Sequence, residues 1–170
     1  MSAPGLSEAG GVDPTREDVA TSLRHWTTQV QPNAHAAAAV ELLIRYGLAE
    51  KHHPWIVRGV LTEDGWWVGH RADFRKLAQV GDSTPGQDGV VMRIAAHLGS
   101  GIAVMLRGPN EALDPERKAL VVAALTGLDP ADWPPPRSDP PMIPDEVFEE
   151  ERRQRRRTAA RLIAMDDEDS

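Results

Sequence analysis

The chain has 170 residues, enough for one domain of ordinary size, and 41% of them are hydrophobic, enough for a core. Its net charge of −7 argues against a protein that coats nucleic acid non-specifically, and the absence of cysteine excludes disulfides, thiol catalysis and cysteine-ligated zinc or iron–sulfur centres. No apolar run approaches the ~18 residues of a membrane span. The opening MSAPGLSEAGGVD lacks the basic and apolar regions of a secretory signal, so the cytoplasm is the expected compartment.

Residues 1–12 are small, polar and Gly-rich and read as a flexible N-terminus. Asp13-Pro14 is a helix start, with Asp as N-cap and Pro in the first turn. Val19, Leu23, Trp26 and Val30 follow on one helical face. Pro32-Asn33 interrupts, and a second helix is predicted over Ala34–Tyr46, with Ala36, Val40, Leu43 and Ile44 inward. Gly47 supplies a left-handed cap and Leu48 its closing contact, so the pair reads as a helical hairpin.

Aromatic and β-branched runs come next. Trp55–Leu61 and Trp66–Gly69 flank Thr62-Glu63-Asp64-Gly65, and a turn ending in Asp-Gly between such runs predicts a small β-hairpin; the alternative reading of Trp55–Leu61 is a helix end. Arg71–Val80 is expected to be helical and to stop at Gly81. Thr84-Pro85-Gly86-Gln87 reads as a capping box opening a helix whose apolar face is Val90, Val91, Ile94 and Leu98, closed by Gly99. Ile102–Leu106 reads as a short strand or a buried extended link. Asp114-Pro115 opens another capped helix, with Leu120, Val121, Ala124 and Leu125 inward and Gly127 as its stop. Asp129–Trp133 reads as a single turn that lays Trp133 on the core.

The globular domain therefore covers residues 13–133. Residues 134–144, PPPRSDPPMIP, form a Pro-rich linker, because proline cannot continue a helix or a central strand. Residues 145–170 are a charged C-terminal helix with an acidic end. Glu149–Arg153 and Glu151–Arg155 stand at the favourable i,i+4 spacing. The fold class is α+β, predominantly α-helical: a helical hairpin, one small β-hairpin, two further capped helices, and a C-terminal helix on a Pro-rich linker.

From Trp55 to Leu125 the order of features resembles a group of uncharacterised actinobacterial proteins. The features are a Trp-led apolar run, an acidic turn, a Trp-containing strand, then VVMRIAAHLGSG and LDPERKALVVAALTGL. The resemblance implies a bacterial cytoplasmic protein and transfers no functional residue.

Three functional readings compete. The leading one is a non-enzymatic protein-interaction or regulatory module. It would use Trp66 and Trp67, of which one can enter the core while the other faces outward unless a helix covers both faces of the strand, and the apolar patch Leu162, Ile163 and Met165. The partner would be another protein or a second copy of the chain. The first alternative is a nucleic-acid-associated protein gripping phosphates through Arg152, Arg153, Arg155, Arg156 and Arg157, which the surrounding carboxylates oppose. The second is a small metal-dependent enzyme. Its site would bring His52 or His53 together with His70 and Asp73 at one end of the hairpin, a His/His/carboxylate set suited to zinc or non-heme iron. No phosphate-binding glycine loop and no nucleophile elbow is present, so no cofactor and no catalytic residue is expected from motif. The plain alternative for the C-terminal segment is a solvated helix held by its own Glu–Arg pairs.

Overall fold

The computed structural model describes residues 18–59, 69–101, 103 and 112–168, with side chains as far as Arg161. The helix start at Asp13-Pro14, the turn Thr62–Gly65, Trp66–Val68 and most of Ile102–Leu106 lie outside the described residues.

Within them the fold is predominantly helical with a two-stranded antiparallel sheet, as the sequence pattern implies. Helix α1 (Val19–His25) begins at Asp18, whose carboxylate accepts from Thr21 N–H. It runs into one π-helical turn, Trp26–Val30. The wider turn takes Val30 off the face it was expected to share with Leu23 and Trp26, leaving Val30 exposed. Asn33 caps α2 (Ala34–Tyr46), accepting from His35 and Ala36 N–H. Gly47 closes α2 at φ 82°, with Gly47 N–H on Ile44 O and Leu48 N–H on Leu43 O. These are the two bonds of a Schellman end, and they place Leu48 in the core.

Strand β1 is Ile56–Arg58 and β2 is His70–Ala72, paired Ile56–Ala72, Val57–Arg71 and Arg58–His70. The sequence reading put Arg71 and Ala72 at the start of a helix. Backbone pairing claims them instead, and the pairing extends through Asp73 N–H to Trp55 O at 2.7 Å. Helix α3 then starts one residue later, at Phe74, with Asp73 capping Arg75 and Lys76 N–H, and runs to Ser83.

Gly81 does not end α3. It lies inside the helix, where the Arg93 and Met92 side chains and the Arg93 backbone crowd its missing Cβ. Nor does Thr84 form a capping box: its hydroxyl donates back to Val80 O, closing α3, while Gln87 accepts from Asp114 N–H. Helix α4 spans Gly86–Ser100 and is capped by Gly101 at φ 69°. Gly99 sits within it, against the Phe74 ring. Helix α4 is the hub, packing on α2, α3 and α5 (Pro115–Thr126), which is why Asp88–Ala96 is buried on every side. In α5, capped by Asp114 and Gly127 as expected, Ala123 points inward and Leu125 is exposed. A 3₁₀ turn, Pro130–Asp132, delivers Trp133 to the core. Helix α6 spans Asp145–Glu168.

Candidate interaction surface

Pro134–Pro144 forms no helix or strand, and it lies along the domain as a strap. Arg45, near the end of α2, fixes its beginning: its guanidinium donates to Pro130 O and Pro134 O, both at 2.8 Å, and its carbonyl accepts from Arg137 N–H at 2.9 Å. Arg45 is itself held by Glu41 at 2.7 Å, and Glu41 takes a second guanidinium from Arg24. Burial pushes the Glu41 carboxyl up, but the bonds from the two arginines outweigh it and hold the group below the usual carboxylate range.

Asp88 fixes the middle of the strap. It stands in the first turn of α4, and one of its oxygens accepts from Met142 N–H at 2.7 Å. The other accepts from Tyr46 O–H at 2.5 Å and from the Arg117 fork. Arg117 also bridges to Asp114 on its own helix. Arg137 lies over the Tyr46 ring at 4.5 Å and 3.7 Å from Asp88, with its side chain only 4% exposed. Burial opposes ionisation of Asp88, and the bonds from Tyr46, Met142 and Arg117 more than offset it, so its carboxyl titrates below the ordinary range. Burial and the Asp88 carboxylate push the Tyr46 phenol up. One carboxylate thus ties α2, α5 and the strap to α4.

The strap sets the direction in which α6 departs. Ile143 and Val147 pack on the core, and Phe148 meets His52 and His53 at ring separations of 5.6 and 6.2 Å. His53 is buried and stacked on Trp55 at 4.6 Å. Its Nδ1 accepts from Glu50 N–H. Burial first, and then neighbouring His52, push its imidazole down to about 4. The last tie between helix and body is Glu151 to Lys76 at 3.7 Å. Beyond it every described residue from Arg152 to Arg161 is exposed. Glu151 pairs with Arg155 as expected, but Arg153 takes Glu150 at i,i+3 rather than Glu149. Arg152, Arg156 and Arg157 make no ion pair with any described residue. A groove of about 460 Å³ runs where α6 leaves the body, between His52 and Phe148 on one side and Arg152 and Arg155 on the other.

The residues singled out from sequence are distributed as follows. Trp66 and Trp67 lie outside the described residues, as do the side chains of Leu162, Ile163 and Met165. Arg152, Arg153, Arg155, Arg156 and Arg157 do share one exposed helical segment. The histidine cluster does not assemble. The register sets His70 opposite Arg58, at the far end of the strand pair from His52 and His53. Ser22 Oγ holds the His70 backbone there, at 2.6 Å, and Asp73 is committed to the cap of α3. Among the described residues no group of three or more His, Asp or Glu side chains is placed to hold a metal ion. Sequence reasoning missed Tyr46, Asp88, Arg117 and Arg137. Their only local signal was a carboxylate, Asp88, in the first turn of a helix, just ahead of the apolar run Val90–Met92. Among the described residues no helix is long and apolar enough to cross a membrane. No family model, curated protein or solved structure matches the chain.

Proposed function

We propose that this chain is a non-enzymatic interaction module of the bacterial cytoplasm, with the helical body as a mount and α6 as the element offered to a protein partner. The observation that carries this reading is the contrast along one helix. The root is anchored through Val147, Phe148 and Glu151, whereas Arg152 to Arg161 is exposed throughout. A lone polar helix gains little from its own i,i+4 pairs, each ~0.3–0.5 kcal/mol, so a partner surface is its natural source of stability. Arg152, Arg156 and Arg157, having no acidic partner in ion-pair reach among the described residues, suit an acidic face on that partner. The same three arginines favour the second reading, contact with nucleic acid phosphates.

The test is capture from bacterial lysate by the full chain and by an Arg152/Arg156/Arg157→Gln variant, with and without nuclease. A protein held stoichiometrically by the parent, insensitive to nuclease and lost in the variant, supports the module. Capture that disappears on nuclease treatment, with a steep salt dependence, replaces it with the nucleic-acid reading. Identical capture by both proteins refutes a role for these arginines.

A further inference from the structure

At the other end of α2 from the strap, where the π-helical turn meets the sheet and the start of α3, lies a pocket of about 280 Å³ that involves no residue of the strap or α6. Its lining includes Trp26, Asn33, Arg71, Phe74, Arg75 and Ser100. Three features set it apart from an accidental gap.

The first is its backbone. Trp26–Val30 is wound as a π-helix, with Gln31 N–H reaching Trp26 O at 2.8 Å. Such turns are rare and gather at functional sites. The second is its floor. Trp26 and Phe74 stand with ring centroids 6.2 Å apart, and the Phe74 ring occupies the space that a side chain at position 99 would take, so Gly99 admits it. The third is charge. Among the described residues neither Arg71 nor Arg75 has a side-chain hydrogen bond or ion pair, and the buried Arg71 Nε has no acceptor there. The one carboxylate in the lining, Asp73, spends Oδ1 on the amides of Arg75 and Lys76. The first turns of α2 and α3 border the pocket with the positive ends of their dipoles, and the C-terminal ends of the π-helical turn at Gln31 and of α4 at Gly99 and Ser100 border it with negative ones, so the helix ends balance and the two arginines set the sign of the charge.

From this geometry we infer a binding site for a small organic oxyanion, a carboxylate or phosphate carried on a single flat apolar group. Arg71 supplies a guanidinium whose unspent donors match two oxygens of such a head group. Arg75 adds a second charge at the rim, and the edges of Trp26 and Phe74 meet the flat group. A volume near the lower limit of ligand pockets holds one ring and excludes a dinucleotide. The site is independent of α6 and of any partner bound there.

The experiment is an NMR titration of the full ¹⁵N-labelled chain, reading the Arg71 Nε–H and Trp26 indole N–H signals, with benzoate, phenyl phosphate, inorganic phosphate and benzyl alcohol as probes. Saturable shifts of both signals with benzoate or phenyl phosphate are expected, and the tighter of the two identifies the head group. Inorganic phosphate and neutral benzyl alcohol are each expected to bind at least about 10-fold more weakly. Arg71→Lys keeps the charge and the fold but loses the fork, and is expected to weaken binding by about 10-fold. Arg75→Gln is expected to weaken it less. Absence of saturation with both organic anions overturns the site. So does undiminished binding in both variants. Inorganic phosphate binding as tightly as phenyl phosphate overturns the flat-group requirement.

Discussion

His53 makes the stability of this protein sensitive to mild acid. It is 3% exposed, stacked on Trp55, and held neutral by Glu50 N–H on its Nδ1. His52 stands beside it at 4.5 Å, Glu50 and the strap residues Arg137 and Asp139 line a second groove together with His53, and in that groove α6 presents only the uncharged Phe148 ring. Its imidazole therefore titrates near 4 in the folded protein against 6.5 in an unfolded chain. Between those values unfolding takes up a proton. The contribution of His53 is complete above pH 6.5, declines as the pH falls, and is exhausted below about 4. A separation of two to three pH units corresponds to about 3 kcal/mol, of which roughly 1.4 kcal/mol is gone by pH 5.5. The assay is urea unfolding of the parent and of His53→Gln at pH 7.5, 6.5, 5.5 and 5.0. Asp88 and Glu41, whose depressed carboxyls lose their contribution only at lower pH, stay charged across this range in both proteins. The parent is expected to lose about 1.4 kcal/mol more than the variant between pH 7.5 and 5.5. Parallel pH dependences, or an NMR-measured imidazole pKa near 6.5, would refute the reasoning.

Two glycines rank differently when given a methyl group. Gly99→Ala meets the Phe74 ring, which can tilt, and is expected to cost about 1–3 kcal/mol by thermal unfolding. Gly89→Ala meets the carbonyl oxygens of Thr84 and Gly81, which cannot, and should cost more; the reverse order would contradict the packing described. Asp88→Asn strands Arg117 and Arg137 without a buried counter-charge and is expected to cost about 3–5 kcal/mol in urea unfolding. It should also accelerate hydrogen exchange at Met142 N–H, and adding Arg137→Met should restore part of the loss. Arg155→Ala, by contrast, removes only an exposed pair and should change stability by less than about 0.5 kcal/mol.

What the sequence made legible was whatever is decided within a few residues. Asn33 and Gly47 bound α2, and Asp114-Pro115 and Gly127 bound α5, because caps and left-handed stops act locally. The misreadings occur where a distant partner decides. Arg71 and Ala72 suit a helix by propensity, and only the pairing with Ile56 and Val57 makes them a strand. Gln87, the residue that would complete a capping box with Thr84, is taken by Asp114 N–H 27 residues further on, and the Thr84 hydroxyl turns back to Val80 O. Gly81 and Gly99 look like stops, yet each is small because a neighbour presses against it. The apolar face Val90, Val91, Ile94 and Leu98 shows one side of α4, but the burial of Asp88, Met92, Arg93, Ala95 and Ala96 comes from α2, α3 and α5 packing around it, which a single face does not reveal. The Asp88 cluster draws on α2, α4, α5 and the strap, whose members are 29 to 54 residues from Asp88, a separation no motif search registers.

The strap also dictates an order of assembly. Tyr46, Asp88 and Arg117 belong to a body that can collapse as it emerges from the ribosome, but the last donors to Asp88 and Arg45 arrive only with Arg137 and Met142. Until then a buried carboxylate faces an open seam where the strap will lie, and the nascent domain is a looser substrate for proteases and chaperones than the finished one. The segment that reads as a spacer is thus the closing stitch of the domain. A body cut at Trp133 would resemble that unfinished intermediate more than the protein without its helix.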